Sequence, residues 1–146
     1  MRLVFAGTPE VAAIALERLH KEHDVALVIT RPDAPIGRKK VLTPSAVAVK
    51  AEALEIPVLK VDRIGSEELD QISQKEAKLG IVVAYGALLG PNVLSDLDWW
   101  NLHFSQLPQW RGATPLQHSI WYGQGQGLTV FKLDSGMDTG DIVGSL

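Results

Sequence analysis

Asn101 and His103 carry the side chains best suited to chemistry in this chain, and a single residue separates them. The run from Trp99 to His103 predicts a strand, in which residues two positions apart point to the same face of the sheet. A neutral imidazole can accept a proton from an attacking amine, and an amide N–H can stabilise an oxyanion by about 2.7–4 kcal/mol. For an isolated pair, polar side chains that cap a strand end would be the simpler interpretation. The segment that follows, Ser105 to Gly112, favours acyl transfer to an amine instead.

A third candidate, Asp138, lies between the turn glycines Gly136 and Gly140. Aspartate is common in turns because its side chain bonds to the nearby backbone, so ordinary turn chemistry is one interpretation. The other interpretation is that Asp138 orients the imidazole of His103 for proton transfer. An amide, an imidazole and a carboxylate around two turns would then form one site for acyl transfer.

A long polar segment, residues 31–44, contains Arg31 and the adjacent cations Arg38, Lys39 and Lys40. Prolines and a glycine interrupt this segment, which predicts a projecting loop without regular structure. A solvated surface loop is the simpler interpretation. The functional interpretation is contact with the phosphates of a nucleic acid, which needs a local basic patch because the net charge of the chain is −3.

The composition is typical of a globular domain and excludes several kinds of site. The chain has 146 residues, of which 46% are hydrophobic, and it has no cysteine, so disulfides and thiolate nucleophiles are excluded. His20, His23 and His118 are scattered without metal-ligand spacing, and the Gly-x-Gly-x-x-Gly pattern of dinucleotide sites is absent. The first apolar run is too short for a signal peptide or a membrane span, so we expect a cytoplasmic location.

Apolar runs typical of buried strands alternate along the chain with segments of helical periodicity. This alternation predicts an α/β fold with an open, mostly parallel, Rossmann-like sheet and flanking helices. The Ser-Gly and Thr-Gly dipeptides between residues 127–134 and 141–143 indicate a reversal, so we expect the last two strands to form an antiparallel pair. Ligands of such sheets bind beyond the carboxyl ends of strands, where Asn101 and His103 fall. The predicted strands are 3–6, 25–30, 58–61, 81–84, 99–103, 127–134 and the segment from 141. Helices are predicted to begin near Thr8, Ser45, Ser66, Pro91 and Thr114, and the side chains of Thr8 and Ser45 are predicted to cap the first two.

Short motifs distributed along the whole chain match one known family. They are Phe5 to Glu10, Arg31 to Asp33, Gly37 to Lys40, Pro44-Ser45, Val83 to Gly86, Asn101-x-His103, Ser105-x-Leu107-Pro108, Trp110 to Ala113 and Gly136-x-Asp138-Thr139-Gly140-Asp141. At these residues the chain resembles the formyltransferase family that uses 10-formyltetrahydrofolate, and most closely the members that act on methionyl-tRNA. The resemblance implies the formyltransferase fold and transfer of a formyl group to the α-amine of methionyl-tRNA for translation initiation.

The resemblance also implies roles for three sets of residues, and it implies no metal. The catalytic residues would be Asn101, His103 and Asp138, where the first two stabilise the tetrahedral oxyanion and the last two manage protons. The residues in contact with 10-formyltetrahydrofolate would be Ser105, Gln106, Leu107 and Pro108, with Tyr85, Gly86 and Leu88 on the pocket wall. The residues that engage the acceptor stem of the initiator methionyl-tRNA would be Arg38, Lys39 and Lys40.

The chain departs from the family pattern in three ways. Gln106 stands where the family usually has leucine, which makes the folate turn more polar, and Gly90 stands where the family usually has proline, although Pro91 follows. Members of the family continue beyond the equivalent of Leu146 with more sheet and helix, and then with a β-barrel domain that helps to bind tRNA. We therefore expect residues 1–146 to be an incomplete N-terminal catalytic domain, whose exposed edge strand would allow two copies to pair.

Two other functions stay open from the sequence. One is formyl transfer to a small amine, such as an amino sugar or glycinamide ribonucleotide, although a small substrate does not need a projecting cationic loop. The other is a folate-binding remnant that is inactive as a fragment. All three candidate catalytic residues are present, which favours an enzyme.

Overall fold

The computed structural model describes residues 1–146. A seven-stranded sheet occupies the middle of the molecule. Two further strands, the third and fourth in the chain, form a separate hairpin. In chain order the strands are β1 (Arg2–Gly7), β2 (Asp24–Thr30), β3 (Ala34–Ile36), β4 (Val41–Thr43), β5 (Val58–Lys60), β6 (Leu79–Val83), β7 (Trp99–His103), β8 (Thr129–Lys132) and β9 (Ile142–Ser145).

Five helices connect the strands, and none of them is long and apolar enough to span a bilayer. The helices are α1 (Glu10–Glu22), α2 (Ala46–Ala53), α3 (Ser66–Ser73), α4 (Pro91–Asp96) and α5 (Pro115–Tyr122).

The spatial order of the strands in the large sheet is β5-β2-β1-β6-β7-β8-β9. Strands β5, β2, β1, β6 and β7 all run parallel to their neighbours in this series. The chain builds outward from β1 first on the side of β2 and then on the side of β6, so a topological switch point lies between β1 and β6. The predicted α/β class with a mostly parallel, Rossmann-like sheet is confirmed.

Two apolar layers pack on opposite faces of the parallel strands. Phe5 belongs to a layer with Leu16 of α1 and Val47 of α2, whereas its neighbour Val4 belongs to a layer with Ile72 of α3. Adjacent residues of a strand point to opposite faces, so helices cover both faces of the sheet. Burial on both faces explains why the parallel strands are continuous apolar runs in the sequence.

The C-terminal strands run antiparallel, since β8 pairs in this way with both β7 and β9. The predicted antiparallel pairing of the last two strands is therefore confirmed. The antiparallel pairing of β8 with β7 was not predicted, because a helix between two strands is more typical of a parallel crossover. Strand β9 lies at the edge of the sheet, and all four of its residues are exposed.

The polar segment 31–44 differs from its prediction, because it contains the antiparallel hairpin of β3 and β4 rather than an irregular loop. The turn is closed by the amide of Lys40, which donates to the carbonyl oxygen of Gly37 at 3.1 Å. All the residues of β3 are exposed, as are Val41 and Leu42 of β4, so no pattern of burial in the sequence signals these strands.

The starts of α1 and α2 test two predicted helix caps. Ser45 caps α2 as predicted, since its hydroxyl accepts a hydrogen bond from the amide of Ala48 at 3.0 Å. The predicted cap at Thr8 is wrong, because its hydroxyl donates to the carbonyl oxygen of Tyr85 at 2.7 Å and α1 begins only after Pro9. Thr8 therefore makes a tertiary hydrogen bond to Tyr85 instead of a capping bond to the start of α1.

Candidate active site

A cavity of about 450 Å³ opens at the carboxyl ends of β6 and β7. Parallel sheets bind ligands at this edge, and small-molecule sites typically have roughly 300–1,000 Å³. Nine of the 15 lining residues are hydrophobic, which suits a ligand with a large apolar or aromatic part. The lining consists of Val82, Ala84 to Leu88, Asn101 to Phe104, Gly112, Ala113, Pro115, Met137 and Asp138.

Asn101 and His103 reach this cavity from β7, as their spacing predicts. Asn101 is half-buried, and no protein group pairs with its side-chain amide. The amide is therefore available to donate to a ligand oxygen.

The imidazole of His103 is held by two residues that do not line the cavity. Its Nε2 lies 2.9 Å from the carbonyl oxygen of Trp110, and its ring meets the edge of Phe131 with centroids 6.2 Å apart. A carbonyl oxygen only accepts, so Nε2 must carry the proton that is donated. In the neutral ring Nδ1 is then the unprotonated nitrogen, and it is the atom free to accept a proton.

Asp138 is brought to this second nitrogen by a turn between β8 and β9. Its Oδ2 lies 3.7 Å from Nδ1 of His103 and accepts a hydrogen bond from the amide of Gly112 at 2.7 Å. Only 4% of the His103 side chain and 14% of the Asp138 side chain are exposed, so water screens the pair weakly. The distance exceeds a hydrogen bond, but such contacts are often long before a substrate binds.

The three side chains together suit proton transfer beside a developing oxyanion. Neutral His103 can accept a proton at Nδ1, and the carboxylate of Asp138 then stabilises the imidazolium that forms. The amide of Asn101 can donate to the oxyanion. No group of three or more His, Cys, Asp or Glu side chains lies together in a way that could hold a metal ion.

Tyr85, Gly86 and Leu88 lie in one wall of the cavity. Burial raises the pKa of the Tyr85 hydroxyl above its ordinary value of 10.0, and only 2% of this residue is exposed. The hydroxyl donates to the carbonyl oxygen of Val61 at 3.0 Å, so its proton is bonded within the protein and not to a ligand. Leu88, by contrast, is 90% exposed at the mouth of the cavity.

The structure does not bring Ser105, Gln106, Leu107 or Pro108 into the lining of this cavity. These residues form a turn that is hydrogen-bonded to Thr129 of β8. The hydroxyl of Thr129 donates to the carbonyl oxygen of Ser105 at 2.7 Å and accepts from the amide of Leu107 at 3.0 Å. The Ser105 hydroxyl donates to the carbonyl oxygen of Gln109, in the turn that leads to Trp110.

The cations Arg38, Lys39 and Lys40 lie in the turn between β3 and β4, where all three are exposed and none forms an ion pair. Arg31 is not part of this group. It lies at the base of the hairpin and pairs with Asp62 at 2.9 Å.

Three residues contribute to the site in ways that the sequence reasoning did not assign. Trp110 offers its carbonyl to His103, Gly112 offers its amide to Asp138, and Met137 lines the cavity. Trp110 and Gly112 have positive φ angles of 57° and 105°. A glycine at position 112 is a possible signal for such a backbone conformation, whereas nothing in the sequence indicates it at Trp110.

A family model described as formyl transferase matches residues 1–145. The chain belongs to the formyl transferase family. This confirms the family resemblance that the motifs of the sequence predict.

Bacterial proteins named methionyl-tRNA formyltransferase are among the sequences similar to this member of the family. The protein of Clavibacter sepedonicus is 53% identical over 146 residues, which cover 97% of this chain and 48% of that protein. The protein of Renibacterium salmoninarum is 48% identical over 150 residues, which cover 100% of this chain and 49% of that protein. The chain therefore spans about half the length of the curated relatives it matches.

Solved structures of other formyltransferases share the fold. Phosphoribosylglycinamide formyltransferase from Bacillus halodurans has a TM-score of 0.79 at 23% identity, and the match covers 100% of this chain and 78% of that one. Glycinamide ribonucleotide transformylase 1 from Geobacillus kaustophilus has a TM-score of 0.79 at 22% identity, with 99% of this chain and 80% of that one covered. These likenesses confirm the predicted formyltransferase fold.

Proposed function

We propose that this chain carries the catalytic site of a methionyl-tRNA formyltransferase, which transfers the formyl group of 10-formyltetrahydrofolate to the α-amine of methionyl-tRNA. The observation that carries this proposal is the meeting of Asn101, His103 and Asp138 in one largely apolar cavity. The identity of 45–53% to proteins named methionyl-tRNA formyltransferase supports the substrate.

The reaction begins when the α-amine attacks the formyl carbon, which forms a new C–N bond and a tetrahedral oxyanion. Asn101 donates a hydrogen bond to this oxyanion from its unpaired amide, and His103 adds to its stabilisation once it has taken a proton from the attacking nitrogen. His103 accepts the proton that the attacking nitrogen loses, at Nδ1, while Asp138 stabilises the resulting charge. The tetrahedral species collapses as the bond to nitrogen 10 of the folate breaks, and His103 returns its proton to that leaving nitrogen.

The cavity supports a folate as donor because aliphatic side chains dominate its lining. Ala84, Ala87 and Leu88 line the cavity together with Pro115 and Met137. Transfer of a flat, partly aromatic ring system from water to such a surface is favourable, because apolar area is buried. Ser105 to Pro108 do not line this cavity, so in this proposal they act by holding the backbone near Trp110 and His103.

The hairpin of β3 and β4 supports a nucleic-acid acceptor. Its turn presents Arg38, Lys39 and Lys40 without acidic partners, and such cations bind phosphates without reading a base sequence. The acceptor stem of the initiator tRNA offers a row of phosphates. A small amine acceptor would not need a projecting turn with three exposed cations.

The deciding experiment is formyl transfer from 10-formyltetrahydrofolate to methionyl-tRNA by the chain as it stands. His103→Ala is compared with His20→Gln, a control near the end of α1, outside the cavity lining. We expect transfer by the wild type and by the control, and none by His103→Ala.

Other outcomes distinguish the alternatives. Transfer to glycinamide ribonucleotide or an amino sugar, but not to methionyl-tRNA, would replace the proposed acceptor by a small amine. Calorimetric binding of the folate without transfer to any amine would identify a folate-binding remnant instead of an enzyme.

A further inference from the structure

The cavity wall from Ala84 to Leu88 is an irregular segment whose conformation its own sequence does not favour. Ala84 and Gly86 have positive φ angles of 46° and 83°. The left-handed region is disfavoured for alanine because its Cβ atom crowds the following carbonyl, whereas glycine tolerates it. Contacts from elsewhere must therefore hold the wall in place.

Those contacts come from loops at the ends of three other strands. The hydroxyl of Thr8, after β1, donates to the carbonyl oxygen of Tyr85 at 2.7 Å. The guanidinium of Arg31, after β2, donates from Nη1 to the carbonyl oxygen of Gly86 at 3.2 Å. The hydroxyl of Tyr85 itself donates to Val61, after β5, at 3.0 Å.

Arg31 is the only charged member of this set, and it has two partners at once. While Nη1 contacts Gly86, Nη2 lies 2.9 Å from Oδ1 of Asp62. The carboxylate fixes the plane of the guanidinium and so aims its second nitrogen at the wall. Lysine has a single ammonium on a flexible stem and cannot reproduce this two-sided contact.

Arg31 also stands at the base of the cationic hairpin. The next charged residue, Asp33, forms an ion pair with Lys60 at 2.7 Å, so the start of the hairpin is bound to the end of β5. Arg31 therefore belongs to the backbone that leads into the hairpin and also contacts the wall of the cavity.

We propose that Arg31 is a positioning residue that holds the wall from Ala84 to Leu88 in the conformation that accepts the formyl donor, with Asp62 acting through Arg31. This inference rests on the proposed function for the identity of the donor. The holding of the wall is independent of that identity and is tested without it.

The first test is NMR relaxation of the backbone amides of Gly86, Ala87 and Leu88 in the ligand-free chain. We expect order parameters near 0.85 in the wild type and below about 0.6 in Arg31→Gln, with the amides of β1 unchanged as an internal reference. The matched control is Arg63→Gln, which removes the same charge from an exposed neighbour that forms no ion pair. Equal order parameters in all three proteins would overturn the inference.

The second test measures binding of 5-formyltetrahydrofolate, a stable isomer of the donor, by calorimetry. We expect the Kd to rise about tenfold in Arg31→Gln, as for the loss of a hydrogen bond from a charged group, and to stay at the wild-type value in Arg63→Gln. Arg31→Lys should resemble Arg31→Gln. Wild-type affinity in Arg31→Lys would refute the two-sided contact, because charge alone would then be sufficient.

The role of Asp62 is tested by combining variants. Asp62→Asn should weaken binding, and the double variant Arg31→Gln/Asp62→Asn should bind no more weakly than Arg31→Gln alone. Additive losses would show that Asp62 acts independently of Arg31. If the wild type binds no folate at all, the proposed function fails, and the relaxation measurement still decides whether Arg31 holds the wall.

Discussion

Nδ1 of His103 lies 3.7 Å from Oδ2 of Asp138, on the side of the ring that faces away from the carbonyl of Trp110. The Trp110 carbonyl fixes the proton on Nε2, so the nitrogen that faces Asp138 is the one that can accept a proton. The carboxylate is anchored separately by the amide of Gly112. Orientation of the ring and stabilisation of its charge are therefore assigned to different partners.

Asp138→Asn separates charge from geometry at this pair. The new amide oxygen can still accept from Gly112, so we expect the free energy of unfolding to change little. The loss of the negative charge should lower kcat by about 10²-fold or more, because the imidazolium is no longer stabilised. The control is Asp141→Asn, which removes the same charge from an exposed residue outside the cavity lining. Similar rates for both variants in the transfer assay would exclude Asp138 from the reaction.

Asn101→Ala tests the amide that has no protein partner. Loss of an oxyanion donor should lower kcat by about 10²–10³-fold with little change in KM, because the interaction forms only in the transition state. Asn92→Ala, at the other asparagine of the chain, lies on α4 and should keep wild-type kinetics. A raised KM at unchanged kcat would mean that Asn101 binds the ground state and the transition state equally.

Arg38→Gln combined with Lys39→Gln tests the hairpin. Each cation that binds a phosphate releases counterions, so the slope of log affinity against log salt should fall by about one per residue removed. We expect a higher KM for methionyl-tRNA and an unchanged KM for the folate.

Lys78→Gln is the control for this experiment, since Lys78 is an exposed residue just before the amino end of β6, whereas the hairpin follows the carboxyl end of β2. Unchanged turnover and salt dependence in the hairpin variant would rule out a nucleic-acid role for these cations.

The sequence predicts the sheet well wherever strands are buried on both faces. The predicted strand 25–30 nearly coincides with β2, Asp24–Thr30, because its apolar run lies between the charged residues Asp24 and Arg31. The hairpin strands β3 and β4 are missed because their side chains are almost all exposed and packing leaves no pattern in their composition. The antiparallel pairing of β8 with β7 is also missed, because its direction depends on where the chain leaves α5 relative to the sheet.

The site is predictable only where local geometry decides it. Residue spacing on a strand is sufficient to place Asn101 and His103 on one face. The approach of Asp138 depends on the turn after β8, which the sequence indicates, and on the antiparallel pairing of β8 with β7, which is not local. Hydrogen bonds from Gly112 and to Trp110 use backbone atoms in an irregular segment, and backbone atoms carry no signature in the sequence.

Tyr85→Phe should change how stability depends on pH. Burial raises the pKa of the Tyr85 hydroxyl above 10.0, so the native state keeps a proton that the unfolded chain loses. The resulting stabilisation is complete below about pH 10 and is lost as the pH rises through the raised pKa. We expect Tyr85→Phe to lose about 1 kcal/mol at neutral pH, with its bond to Val61, and to lose less stability than the wild type above about pH 10.

Urea unfolding at several values from about pH 8 to pH 11 measures this difference. Tyr122→Phe is the matched control, because Tyr122 is the only other tyrosine and is 59% exposed. If Tyr85→Phe and Tyr122→Phe both kept the wild-type dependence on pH, another group would be the cause.

Gly80→Ala should destabilise the sheet beneath the cavity. A Cβ atom at Gly80 would overlap the ring of Trp99, which is fully buried between β6 and α4. Overpacking of this kind typically costs about 1–3 kcal/mol, seen as a lower midpoint of urea unfolding at unchanged slope. Gly144→Ala, where no atom lies within 4 Å of the new Cβ, should keep the wild-type midpoint. Since the clash is with the indole, Trp99→Leu should cost less in the Gly80→Ala background than in the wild type, and equal costs would refute this packing argument.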